Sequence, residues 1–477
     1  EIATFIEIPP KQELGDYAFP CFRLAKTMHK APNLIAADIK EAIGDVDFLD
    51  KIDVQGAYLN FFVKKDIFVQ TMIEAALKDN FGGSDEGADK VICIDYSSPN
   101  VAKNFHVGHL RTTIIGNSLY KIYSKLGYKV IRINHLGDWG TQFGKLIVAY
   151  KNWGTKEAVE KDGVAELMRL YVKFHEEADK NPELVDEARA WFSKMEHGDE
   201  EALSIWQWFK DISLVEYKRT YDLLGMDFDY YLGESFYRDK CQEVVDQLTN
   251  ANLLKESEGA MIVDLSDYDM APCIVTKKDG SSIYATRDLA AIFYRKNTYH
   301  FTKCLYVTGQ EQKLHFAQVF KVVELLGNDW AKDSLVHIPY GLVSLEGAKL
   351  STRSGNIIYA EDILHDAIKK SFEIISEKSP NLPDKEEVAK IVGVGSVLFN
   401  DLYNQRIKDV SFSWDKVLNF DGETGPYVQY THARCSSVVR LAENFDPAKP
   451  IDYSTISEPD AMNLLKEISR FPKVVSD

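Results

Sequence analysis

Apolar positions along the chain fall into blocks whose period changes. From Gly108 to Leu126, Leu110, Ile114, Ile115, Leu119, Ile122, Tyr123 and Leu126 recur at spacings of three and four, which predicts a helix. Gly127 stands where a left-handed cap belongs. Before that helix, Val91-Ile92-Cys93-Ile94 is a short continuous apolar run of the kind found in buried parallel strands, and Lys129-Val130-Ile131-Arg132-Ile133 supplies a second strand after it. Strand, loop, helix and strand within about forty-five residues predict a right-handed βαβ crossover, so the fold class is α/β.

Residues 156–224 carry helical periodicity and no strand signal (Leu167, Leu170, Tyr171, Phe174; Ile205, Trp208, Phe209, Ile212), which predicts a helical insertion. Strand-like runs resume at Met261-Ile262-Val263, Cys273-Ile274-Val275, Cys304-Leu305-Tyr306-Val307 and Val336-His337-Ile338, and interleaved helices suggest that they complete a parallel sheet. Beyond about residue 360 only helical patterns remain. The first 85 residues hold two short helical patterns (Phe22 to His29, Leu34 to Ile43) and a strand-like run from Ala57 to Val63. They end in Gly82-Gly83-Ser84-Asp85-Glu86-Gly87, a polar stretch with linker chemistry. The expected organisation is an N-terminal α+β domain (1–85), a Rossmann-like parallel-sheet domain (86–155 and 225–360), the insertion (156–224) and a C-terminal all-helical domain (361–477).

At 477 residues, 45% hydrophobic and 27% charged, the chain is long and apolar enough for several packed domains. No run approaches the roughly 18 apolar residues of a membrane helix, and Glu1-Ile2-Ala3-Thr4 lacks a signal-peptide profile, so a cytoplasmic protein is expected. The chain starts on Glu and stops within a helical pattern, which reads as a fragment. Six scattered cysteines without a C-x-x-C pair disfavour a zinc cage or a disulfide framework and are expected to be small buried hydrophobes; no metal-ligating set stands out. Charge changes the picture more: 56 basic minus 73 acidic residues gives −17, so any contact with a polyanion must be local.

Two segments carry candidate chemistry. Ser97 to His109 lies between the first strand and the helix it feeds, where a phosphate meets free backbone N–H groups and the positive end of the helix dipole. His106 and His109 can donate to phosphate oxygens there, and Gly108 permits close backbone approach. Alone, such a pair also reads as one capping and one solvated histidine. The second segment, Gly347-Ala348-Lys349-Leu350-Ser351-Thr352-Arg353-Ser354-Gly355-Asn356, packs two cations and three hydroxyls between glycines, as in a loop that closes on polyphosphate, or else a basic surface turn. Walker A spacing and a G-x-G-x-x-G fingerprint are both absent.

Together, His106-Val107-Gly108-His109 and Lys349-Leu350-Ser351-Thr352-Arg353 resemble the HIGH and KMSKS signatures of class I aminoacyl-tRNA synthetases. Ser97 to Arg111, His135 to Gly144, Tyr284-Ala285-Thr286-Arg287-Asp288 and Gly425 to Arg434 are similar to arginyl-tRNA synthetases, and Gly15 to Pro20 resembles that family's extra N-terminal domain. The resemblance implies ligation of L-arginine to tRNA(Arg) through an arginyl-adenylate. ATP with magnesium would be a substrate, with no tightly bound cofactor, no membrane, no DNA and a monomeric state. It places His106, His109, Lys103, Lys349 and Arg353 on the phosphates, with Gly108 and Ser351 also at ATP. Tyr284, Asp288 and Glu234 would meet the guanidinium, whose planar fork calls for carboxylates. Asp95 and Asn100 would meet the α-amino and carboxylate groups, with Gln312 on the far side. Tyr58 and Asn60, on one face of a strand, would meet a base of the tRNA D-loop, and the last helices would begin an anticodon-binding bundle. Asp138, Trp139 and Gln142 receive no role, although burial in packing is the commoner fate of a tryptophan. Another H-x-G-H nucleotidyltransferase would not explain Tyr284 and Asp288, and a non-catalytic tRNA-binding paralogue would not keep the phosphate residues.

Overall fold

A computed structural model describes residues 2–277, 283–345, 359–419, 421–442 and 449–477. The chain forms two compact units, Glu1–Ser84 with Glu443–Asp477, and Asp85–Ala442.

In the first unit, β1 (Tyr17–Pro20), β2 (Leu49–Gln55) and β3 (Tyr58–Val63) make an antiparallel sheet in the order β1-β3-β2. Helix Pro32–Ile43, opened by a proline whose missing N–H costs nothing at a helix start, buries Ile35 and Ala36 against Phe19, Cys21 and Leu59. Helices Lys65–Ala76 and Pro459–Ser469 meet around Val69, Met462 and Leu465, so residues from both ends of the chain share this unit.

The second unit contains β4 (Val91–Asp95), β5 (Lys129–Asn134), β6 (Tyr230–Tyr231), β7 (Leu254–Ser257), β8 (Ala260–Val263), β9 (Cys273–Thr276), β10 (Lys303–Gly309), β11 (Leu335–Tyr340), β12 (Val343–Leu345) and β13 (Val410–Phe412). A parallel sheet runs β11-β10-β4-β5-β6. The expected crossover is there, with helix Val107–Lys125 between β4 and β5 and Gly127 at φ 84° after it. Strand β4 alternates, with Ile92 and Ile94 facing one core and Cys93 the other, so both faces of the sheet are covered. Strand order switches direction at β4 and β10, and the crevice beyond their carboxyl ends is where such sheets bind ligands. The insertion is four helices, Lys156–Asp162, Val164–Ala178, Glu183–Glu196 and Glu200–Leu224. No helix among the described residues is long and apolar enough to cross a membrane.

Three expectations need correction. Met261–Val263 and Cys273–Val275 do not join the parallel sheet; they lie in a separate antiparallel one, β7-β8-β9. Only Glu258 and Gly259, at φ 52° and 83°, connect β7 to β8, and a two-residue turn permits a hairpin, whereas parallel pairing needs a crossover of a dozen or so residues. A strand also exists after residue 360, because Val410–Phe412 pairs in parallel with Val343–Leu345. Cys435 is exposed on helix Gly425–Leu441, while the other five cysteines are buried.

Candidate active site

The turn after β4 is built from strained backbone. Ser97, Ser98 and Ala102 adopt φ of 71°, 47° and 59°, a region that L-residues enter only when their surroundings hold them. Those surroundings are specific. Ser97 N–H donates to Thr112 Oγ1 (3.2 Å), its hydroxyl lies 2.7 Å from the Tyr221 hydroxyl, and Ala102 N–H donates to Ser213 Oγ (3.0 Å). The Tyr217 hydroxyl lies 2.7 and 2.6 Å from the carbonyls of Asn100 and Lys103. Ser213, Tyr217 and Tyr221 all belong to helix Glu200–Leu224, so the last helix of the insertion forms the underside of this loop.

His106 is the N-cap of helix Val107–Lys125. Its Nδ1 accepts from Gly108 N–H (3.1 Å), and its own N–H donates to His109 Nδ1 (3.3 Å), a reciprocal cap with the two rings 3.9 Å apart. A Cβ at position 108 would sit 2.9 Å from His106 Cε1, so this cap requires glycine there. With both Nδ1 atoms accepting, the neutral rings carry their protons on Nε2. Burial pushes both histidines below their ordinary value, His109 strongly; Lys103 adds to this at both, and His106 adds at His109. At neutral pH the pair is therefore two neutral donors, and positive charge at this end of the helix comes from Lys103, whose side chain is exposed.

The predicted carboxylates converge beyond the same strand ends, each already engaged. Asp95 closes β4; its Oδ1 accepts from the Ser98 hydroxyl (2.9 Å) and its Oδ2 pairs with Arg295 (2.8 Å), a wholly buried guanidinium lying over the Tyr237 and Tyr306 rings. Glu234, 8% exposed, pairs with Arg287 at 2.7 Å. Burial raises its carboxyl to about 7, opposed by Arg287 and reinforced by Asp288 and Asp138. Asp288 Oδ2 lies 2.6 Å from His315 Nε2. Tyr284 and Asp288 sit one turn apart at the start of helix Tyr284–Tyr299, so they share a face of it, with Tyr284 65% exposed. Gln312 is exposed at the end of the short turn after β10, and Asn100 is exposed against Gly137, where a Cβ would fall 2.1 Å from its Oδ1. Trp139 is packed against Trp206 and Phe192. Arg287, Arg295 and His315 were not foreseen; Arg295 could have been, since it follows Asp288 by two helical turns.

Tyr58, in the first unit, is exposed with its ring edge on Phe22, while Asn60 is only 3% exposed. Lys349, Ser351 and Arg353 lie outside the described residues. The described residues flanking their segment are anchored to the histidine helix and its loop. Arg111, 1% exposed, donates to the carbonyls of Gly341 (2.8 Å), Leu342 (3.3 Å), Arg406 (3.1 Å) and Lys408 (3.2 Å). On the other side, the Asn104 amide donates to the Tyr359 hydroxyl (3.2 Å), and Ala360 N–H donates to the Phe105 carbonyl (3.0 Å).

Three family descriptions match the chain: "tRNA synthetases class I (R), catalytic domain" over residues 71–414, "Arginyl tRNA synthetase N terminal domain" over 1–63, and "DALR anticodon binding domain" over 428–477. The arginine-tRNA ligase of Alkaliphilus metalliredigens is 57% identical across 100% of this chain and 84% of its own length. That of Clostridioides difficile is 56% identical across 99% of this chain and 84% of its own. The solved arginyl-tRNA synthetase of Thermus thermophilus superposes with a TM-score of 0.82 at 24% identity, covering 99% of this chain and 83% of that one, a likeness of fold.

Proposed function

The chain belongs to the class I arginyl-tRNA synthetases, and from that premise we propose how its residues divide the work of an arginine-tRNA ligase. It joins arginine to tRNA(Arg) through an arginyl-adenylate, consuming ATP and releasing pyrophosphate and AMP. In the first step an arginine carboxylate oxygen attacks the α-phosphorus and pyrophosphate leaves. In the second, a terminal ribose hydroxyl of the tRNA attacks the arginyl carbonyl and AMP leaves. Neither step needs a protein nucleophile; both need positioning and charge neutralisation.

The observation that carries this assignment of roles is that the reciprocal His106/His109 cap opens the helix fed by β4, whose last residue is Asp95, at the switch point of the sheet, while Glu234 and Asp288 lie near enough for one carboxylate to act on the other. The Nε2–H groups of His106 and His109, the helix N-terminus and Lys103 hold the phosphates of ATP, which enters as its magnesium complex. Lys349, Ser351 and Arg353 are assigned to the same phosphates, and the described residues on either side of their segment, Leu342 and Tyr359, are bonded to the histidine helix and its loop. Asp288, Glu234 and Tyr284 receive the guanidinium, Asp95 and Asn100 the amino acid's α-substituents, and Gln312 borders the same crevice. Tyr58 meets a tRNA base, with Asn60 behind it, and the helices near the chain's end meet the anticodon arm. The protein is taken to act as a cytoplasmic monomer. Arginine-dependent exchange of label between pyrophosphate and ATP, run with and without tRNA, tests the assignment of activity. Exchange driven by lysine or citrulline as well as by arginine would defeat the carboxylate pocket.

Two further outcomes are expected. Because Glu234 is raised to about 7 and an arginine guanidinium prefers its ionised form, arginine binding should release protons near neutrality and tighten as pH climbs from about 6 to 8. Calorimetry in buffers of different ionisation enthalpy reads that release, and a proton count of zero would leave Glu234 outside the pocket. Tyr58→Ala should raise the KM for tRNA at least about fivefold, on the order of 1 kcal/mol for one stacked base, without altering KM for ATP. Aminoacylation at varied tRNA concentration decides it, an unchanged KM making Tyr58 a surface residue only.

A further inference from the structure

Asp138 received no role from the sequence, yet it is 0% exposed and satisfied on every side. Its Oδ2 pairs with Lys210 Nζ at 2.6 Å and accepts from the Ser235 hydroxyl at 2.7 Å. Its Oδ1 accepts from Ser235 N–H at 2.8 Å, and its main-chain carbonyl accepts from the Trp206 indole at 2.7 Å. Lys210 and Trp206 stand one turn apart on helix Glu200–Leu224 of the insertion, whereas Gly233–Ser235 is the turn that carries Glu234. The turn is wrapped directly on the carboxylate, since a Cβ at Gly233 would fall 2.3 Å from Asp138 Oδ1.

We propose that Asp138 is a positioning residue through which the helical insertion, by way of Lys210, sets the place of Glu234 in the arginine pocket. Charge-assisted hydrogen bonds donated by the N–H and the hydroxyl of Ser235 to this one carboxylate hold the peptide next to Glu234 in a single orientation. Lys210 gives that wholly buried carboxylate a partner of opposite charge 2.6 Å away, without which the acidic side chain would have no cation beside it. Lys210 thus governs arginine affinity without touching arginine. The proposal rests on reading Glu234 as a guanidinium ligand.

A double-mutant cycle on the full chain tests it, with KM for arginine and for ATP read by pyrophosphate exchange. Lys210→Met should raise the arginine KM about three- to tenfold, leave the ATP KM within about twofold, and be rescued by Lys210→Arg. In a Glu234→Gln background the same change should add nothing, because its route to arginine is gone. A buried pair that served stability alone would lower the melting temperature and leave the two KM values in their parental ratio, which overturns the proposal, as does an equal effect in both backgrounds. Should Glu234→Gln itself leave the arginine KM unaltered, the reading of Glu234 falls and the proposal with it. If Lys210→Met fails to fold, Ser235→Ala, which strands no buried charge, must raise the arginine KM in the same selective way; a parental value then refutes the coupling.

Discussion

Asp288→Asn is expected to weaken arginine binding by more than about 1.5 kcal/mol, over tenfold in KM, while ATP binding stays nearly intact. A carboxylate can accept from a guanidinium and from His315 together; an asparagine has no charge and one accepting oxygen, and its N–H₂ has nothing to accept from it on a guanidinium, which only donates. The isosteric change keeps the packing at the start of helix Tyr284–Tyr299, so the loss is one of charge and acceptor count. The ATP KM is the internal control, because the phosphates are assigned to another helix. Equal arginine KM values for mutant and parent would remove Asp288 from the pocket.

Lys103→Ala should lower the rate of arginine activation at least about tenfold, roughly 1.4 kcal/mol of transition-state stabilisation, with little change in the ATP KM. In the class signature a second lysine follows the first by three positions, whereas here Thr352 stands there and Arg353 comes next. The structure sharpens the need for another cation, since His106 and His109 are neutral donors and bring no charge to the departing pyrophosphate. Lys103 sits at the mouth of the same helix, and its field depresses both imidazoles. A second consequence follows from that sign. Removing Lys103 lets both histidines rise toward their ordinary value, so the acid limb of the activation profile should move to higher pH. Lysine at Thr352 in the Lys103→Ala protein should recover part of the rate. Activation at the parental rate would instead make Arg353 the source of the second charge.

What could be read in advance was whatever local pattern dictates. The period of three and four from Leu110 to Leu126, the bare apolar run at Val91 and the glycine at 127 each answer to a short stretch of backbone, so the crossover and the ligand-binding end of its sheet were legible. The four-residue spacing that sets Tyr284 and Asp288 on one helix face was legible for the same reason. Long motifs did the rest for the family, because His106 to His109 and Tyr284 to Asp288 lie within single elements.

Pairing between distant segments was not legible, since strand registry and buried charge depend on which surfaces meet. Met261–Val263 looks like a core strand of the parallel sheet, and only the two-residue turn before it commits it to a hairpin elsewhere. Asp95, Glu234 and Asp288 were visible as carboxylates, but their partners Arg295, Arg287 and His315 are chosen by the packing of helices at the strand ends. Burial decided the chemistry of the histidines: the sequence offered two donors of unstated charge, and burial with the reciprocal cap makes them neutral ones. The insertion shows the division most plainly. Its sequence determined that it is helical; only the folded chain brought Ser213, Tyr217 and Tyr221 beneath the loop after β4 and Lys210 to Asp138, because a helix face acquires partners only when another surface is laid against it.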